Sequence, residues 1–369
     1  MALANPTAPL SDVTVVDMTT SLGEYAGRLM ADLGADVIRF DPPVPASPHR
    51  RAFMNAGKQI RATRPSEQQL DELLRQTQIL LTSEGPAALR ANGLHPRDIT
   101  GRHPRLVHVA ISPFGLTGPY ADRPASDLTL MAAGGLLALA GEPDREPVRA
   151  WGEQTSVIAG VHATTAALIA LHVLETEERG QIVDVSVQEA VAHSIENAAQ
   201  YLDLEGVVRR RAGAGPREAG TGLFRCADGW IYVVGGLGGK PLAWQAIVEW
   251  LTEAGIEDAA ELDLEHWQQP QWRRTPQACT IFRELFEVFA APQSKAELFA
   301  SGQKRGISIA PVATPEDLLT DPQLVARDYF RVVEVEGQRV TLPGSPYRFR
   351  NSDVGPRTGR SPSWALSSR

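Results

Sequence analysis

The chain has 369 residues, 43% of them apolar and 22% charged, with a mean hydropathy of −0.18, the composition of a globular protein large enough for one sizeable domain and a smaller one. A formal charge of −8 disfavours nucleic acid, whose phosphates select a basic stripe. Cys226 and Cys279, the two cysteines, stand in neither a disulfide nor a metal-ligand spacing, which points to a reducing cytoplasm and no metal.

No basic stretch followed by an apolar one opens the chain. Val13 to Val16 is a short apolar run ending in Asp17; Thr19 to Leu22 reads as a turn, and Tyr25 to Leu33 carries apolar residues at helical spacing up to Gly34. Asp36 to Phe40 is the next strand, completing a βαβ opening. Glu67 to Gln76 (helix), Ile79 to Thr82 (strand), Pro86 to Ala91 (helix) and Leu106 to Ser112 (strand) continue the alternation, which predicts an α/β fold with a mainly parallel, doubly wound sheet.

Asp127 to Ala140 and Ser156 to Glu178 read as longer helices, and Ile182 to Ser186 as a strand. The apolar stretch Val157 to Leu174 is interrupted by His162, Thr164, Thr165 and His172, so it is expected to be a buried helix and not a bilayer span. Arg209 to Gly222 has the Arg, Gly, Ala and Pro content of a linker. Gly222 to Val234 reads as a hairpin turning at Asp228-Gly229, before amphipathic helices at Trp244 to Ala254 and Ile281 to Ala290. A large Rossmann-like domain over 1–208, with 320–369 returning to it, and a linker and small domain over 209–319 are expected.

Four features carry chemistry, each with a plainer alternative. Gly235, Gly236, Gly238 and Gly239 follow a strand; their amides line an anion or cover a site, or form an ordinary loop. Ser112 to Tyr120 is a turn-rich stretch after a buried strand, where open α/β sheets bind ligands; otherwise it is a tight connection. Arg39, Lys58, Arg61 and Arg64 suit phosphates, or a solvated face, with Arg39 set apart by lying inside an apolar strand. Thr155 and Ser156 open a helix, where a hydroxyl is either an N-cap or a nucleophile without an evident base.

Together these motifs resemble the class III CoA-transferase family, the group of formyl-CoA transferase, carnitine CoA-transferase and the 2-methylacyl-CoA racemases. The similar stretches are Pro9 to Val13, Ala31 to Pro43, Asn55 to Lys58, Ile111 to Tyr120, Gly141 to Pro143, Arg179 to Ser186, Arg225 to Gly229 and Asp321 to Leu324, within about residues 9 to 350. The resemblance implies two interlocked rings in a dimer, with acyl-CoA thioesters and carboxylic acids as small-molecule partners. Coenzyme A would be substrate or ligand, with no permanently bound cofactor. Its adenosine-phosphate end would meet Arg39, Lys58 and Arg64, and Leu22 and Gly23 would line it.

The departures concern catalysis. The family's attacking aspartate lies four residues before the glycine matching Gly160, and this position is Ser156; Glu153 is the nearby carboxylate. Where the racemases carry a histidine stands Ser126, and a block usually reading N-F-R-P-G is Ser83 to Ala87, with Gly85 at the arginine position. Three readings follow: a subunit of a hetero-oligomeric CoA-transferase whose homologous partner bears the aspartate, an acyl-CoA enzyme of altered chemistry using Glu153 or Ser156, or a non-catalytic CoA-ester binder. The first ranks highest.

Overall fold

In the computed structural model the described residues are 8–40, 47–213, 215, 218–237, 240–335 and 337–358. Six strands, β1 (Thr14–Asp17), β2 (Asp36–Phe40), β3 (Gln59–Arg61), β4 (Ile79–Thr82), β5 (Val107–Ser112) and β6 (Ile182–Ser186), form a sheet of order β3-β2-β1-β4-β5-β6. Every pairing in it is parallel. Strands β4 and β5 are buried at every residue, as continuous apolar runs covered on both faces should be. The order reverses direction on either side of β1, so the crevice beyond the ends of β1 and β4 is the switch point at which doubly wound sheets take ligands.

Two helices frame that crevice. Glu24–Asp32 follows β1 directly, and the 24-residue helix Gln154–Glu177 packs across it. Their close approach depends on small residues: a Cβ at Gly160 would lie 2.9 Å from Cβ of Tyr25, and Ala159, Ala163 and Ala167 are fully buried around it. The long helix is therefore a core helix on one face only. Its other face leaves Val161 and Ile169 exposed, so the helix expected to be buried is buried on one side.

The chain divides into two compact units, one from Met1–Leu139, Val148–Arg209 and Pro322–Arg369, the other from Ala140–Pro147 and Arg210–Asp321. In the first, an antiparallel hairpin, Phe330–Val335 with Gln338–Pro343, packs Val333 and Leu342 on Ala56. In the second, a three-stranded antiparallel sheet ordered Ser308–Pro311, Gly229–Val234, Thr221–Cys226 is covered by Trp244–Glu253 and Pro276–Ala290 over an aromatic core that includes Phe224, Trp244, Trp267 and Phe282.

Several expected boundaries move. The helix beginning at Asp127 ends at Ala133, because Gly134 and Gly135, the latter at φ 87°, break it before a short 3₁₀ turn Leu136–Leu139. The hairpin turns on Ala227-Asp228, since Gly229 already pairs with Cys226. The long helix starts at Gln154, two residues earlier than expected, and Pro276–Ala290 starts five residues before Ile281, with Pro276 in its first turn and Thr275 as N-cap.

Candidate active site

Asp17 is the last residue of β1, and its register partner on β2 is Arg39. The sequence thus places opposite charges side by side at the edge of the switch-point crevice. Arg39 donates to Asp17 Oδ1 at 3.0 Å, to the Thr19 hydroxyl at 3.1 Å and to Glu24 at 2.6 Å. Lys58 Nζ donates to Asp17 Oδ2 at 2.9 Å and to the Glu24 carbonyl at 2.8 Å. Gly27 makes room for this: a Cβ there would lie 2.5 Å from Asp17 Oδ2 and 3.1 Å from Lys58 Nζ.

These groups are almost wholly out of water. Burial pushes the Asp17 carboxyl up, but Lys58 and Arg39 with the Thr19 hydroxyl outweigh it and hold it down at about 2. Burial also draws the Lys58 ammonium down to about 8 against the attraction of Asp17, so at neutral pH the pair is ionised on both sides. Arg39 and Lys58, the expected phosphate ligands, are thus neutralised from within the protein by Asp17 and Glu24.

The array continues outward through a residue that the sequence reading passed over. Arg50, on the helix Pro48–Asn55, hydrogen-bonds Glu24 through Nη1 and grips Glu153 with Nε, at 3.1 and 3.0 Å, and Nη2, at 2.6 Å. Lys58, Asp17, Arg39, Glu24, Arg50 and Glu153 therefore alternate in charge from the core to the rim, where Glu153 is 37% exposed. The Ser47-Pro48 pair, an N-cap followed by proline at the first helical position, was the local signal for this helix. Nothing local marks the pairing of Arg50 with a residue 103 positions away.

Ser156 is not the helix cap; that position belongs to Glu153, whose side chain makes no capping bond. The Ser156 hydroxyl is buried and donates to the carbonyls of Ser21 at 2.9 Å and Leu22 at 3.0 Å. It fastens the long helix to the turn after β1, and none of its bonds goes to a base. Thr155 donates both its amide and its hydroxyl to Asp127 Oδ1, at 2.9 and 2.8 Å. Ser126, where the resemblance places the racemases' histidine, caps the Asp127–Ala133 helix with Thr129.

A carboxylate in place of Ser156 would face two carbonyl oxygens that it cannot satisfy. Ser156→Asp is accordingly expected to destabilise the chain by about 2–3 kcal/mol, and Ser156→Ala by about 1, as measured by denaturant unfolding. Equal stability of the Asp variant and the parent would show that the turn adapts freely to either side chain.

Leu22 and Gly23 lie at this same turn, Gly23 as N-cap of Glu24–Asp32. Arg64 is 39% exposed and only loosely paired, 3.8 Å from Glu84. Gly85 opens the helix Pro86–Ala91. In the second unit, Gly235 donates its amide to the Gly220 carbonyl at 2.8 Å and accepts from Arg273 at 3.1 Å. Gly236 packs on the Arg273 and Glu218 side chains so closely that a Cβ would overlap both. Gly238 and Gly239 lie outside the described residues.

Comparison with known proteins adds the family context. The model of CoA-transferase family III matches residues 10–364. The chain is 36% identical over 359 residues to the succinyl-CoA:(R)-benzylsuccinate CoA-transferase subunit BbsE of Thauera aromatica, covering 91% of this chain and 87% of that one. It is 28% identical to the succinyl-CoA–D-citramalate CoA-transferase of Chloroflexus aurantiacus, with 89% and 84% covered, and 26% identical to a succinyl-CoA–L-malate CoA-transferase alpha subunit of the same species, with 95% and 86% covered. Among solved structures, a CAIB/BAIF family protein from Brucella suis superposes with a TM-score of 0.83 at 24% identity, over 97% of this chain and 96% of the other.

Proposed function

This chain belongs to CoA-transferase family III, and on that premise we propose that it is the subunit of a hetero-oligomeric CoA-transferase that lacks the attacking carboxylate, a homologous subunit supplying it. The observation that carries this reading is Ser156. It stands where the resemblance places the aspartate, and its hydroxyl is taken up by the Ser21 and Leu22 carbonyls. The relative from Thauera aromatica is itself named as a subunit.

Surface chemistry supports a partner. The helix Ala198–Glu205 buries none of its residues, leaving Leu202 and Leu204 exposed, and Val161 and Ile169 add apolar surface on the long helix. Apolar area of this kind is what a protein interface covers. The ligands are acyl-CoA thioesters and carboxylic acids, with the Leu22-Gly23 turn lining coenzyme A. Arg64 is the phosphate contact with charge to spare, since Arg39 and Lys58 already face Asp17 and Glu24.

Co-expression with an aspartate-bearing homologue from the same genome tests this. A stable complex is expected to co-purify and to transfer CoA between carboxylic acids, while the chain alone does not. Transfer by the chain alone at the complex's rate would overturn the proposal. It would favour a second reading in which Glu153, a carboxylate at the rim of the array and at the start of the long helix, performs the chemistry.

A further inference from the structure

Arg50 presents two edges that differ in kind. Nη1 is bound to Glu24, a buried carboxylate also held by Arg39, so that edge is anchored. The Nε and Nη2 edge grips Glu153 in the side-on, two-oxygen manner by which arginine recognises carboxylates generally. The Arg50 side chain is 21% exposed and that of Glu153 37%, so water reaches this end of the array. Glu153 makes no cap on its helix, and among the described residues its side chain pairs with Arg50.

We propose that Glu153 is an internal stand-in for a ligand's carboxylate, and that a small carboxylate from solution displaces it to bind the outer edge of Arg50. The exchange replaces one carboxylate by another, so the alternating charges of Lys58, Asp17, Arg39, Glu24 and Arg50 stay balanced and no covalent bond is made or broken. Both side chains reach solvent, where water screens the pair and solvates the released carboxylate, which is why an external carboxylate competes with it. The displaced Glu153 swings into solvent at the start of the long helix. The inference rests on the reading of the chain as a CoA-transferase subunit, whose second substrate is a carboxylic acid, and assigns the residue that recognises that acid.

Calorimetric titration of the full-length chain with succinate at low ionic strength tests it. Saturable binding is expected, tightened about five-fold by Glu153→Ala and by Glu153→Gln, the factor that corresponds to losing a competitor worth about 1 kcal/mol. Arg50→Lys, which keeps the charge but not the fork, is expected to weaken binding at least ten-fold. Affinity left unchanged or lowered by both Glu153 variants, or no binding to either, would overturn the assignment. The Glu153 variants decide the matter even where Arg50→Lys does not fold, because Glu24 also depends on Arg50. Co-purification with the homologous subunit is independent of this result, so failure here leaves the subunit reading to its own test.

Discussion

Asp17→Asn is expected to destabilise the first unit by about 3–5 kcal/mol, the cost of removing one partner from a buried ion pair, and to lower its melting temperature by roughly ten degrees. The side chain keeps its size, so packing does not account for the loss. What changes is that Arg39 and Lys58, both essentially without solvent, keep their charges and lose the carboxylate between them. Of its two hydrogen bonds, the Lys58 ammonium retains the one to the Glu24 carbonyl. The double variant Asp17→Asn, Lys58→Met removes the stranded ammonium and should recover about half of the loss. A single variant within 1 kcal/mol of the parent, by denaturant unfolding, would show that Glu24 alone can balance both cations.

The same group contributes to the acid limit of the fold. Asp17 sits at about 2 in the folded chain against an ordinary value of 3.8. Its stabilising contribution is therefore complete above about pH 4 and fades as the pH falls from there toward 2. In the Asp17→Asn variant that part of the acid transition should flatten.

The alternation of strand and helix in the first unit was legible because β1, β2, β4 and β5 are apolar runs bounded by Asp17, Gly34 and prolines, and parallel sheets demand such runs. Arg39 stood out for the same reason, as a charge inside an apolar strand. What it touches was not legible: its partners Asp17 and Glu24 follow from strand register and from the entry angle of the first helix, both tertiary outcomes. Arg50 and Glu153 were further from view, being joined only when the Pro48–Asn55 helix meets the start of the long one. The glycines of the second unit carry a constraint that spacing does not show. Gly236 is small because Arg273 and Glu218 pack on it, a constraint that spacing cannot separate from a flexible loop. Gly134 and Gly135 likewise end a helix that periodicity alone would have run to Ala140.

On the proposed subunit reading, changing the partner subunit's attacking aspartate to asparagine in the complex is expected to lower kcat by at least about 10³-fold, whereas Ser156→Ala in this chain leaves it within about two-fold. The chemistry requires the difference. A carboxylate that attacks an acyl-CoA carbonyl releases the CoA thiolate and becomes one half of a mixed anhydride. The thiolate then returns to the enzyme's own carbonyl, freeing the first acid and storing CoA as an enzyme thioester for the second. Serine offers no carbonyl to receive CoA: its acyl ester would hold the acyl group and leave the thiolate without a place on the protein. Glu153 does offer one, so Glu153→Gln in the same complex separates the two readings. A fall comparable to that of the aspartate variant would place the chemistry in this chain. Retained kcat, with kcat/KM for the acceptor acid unchanged or raised, would leave the chemistry with the partner.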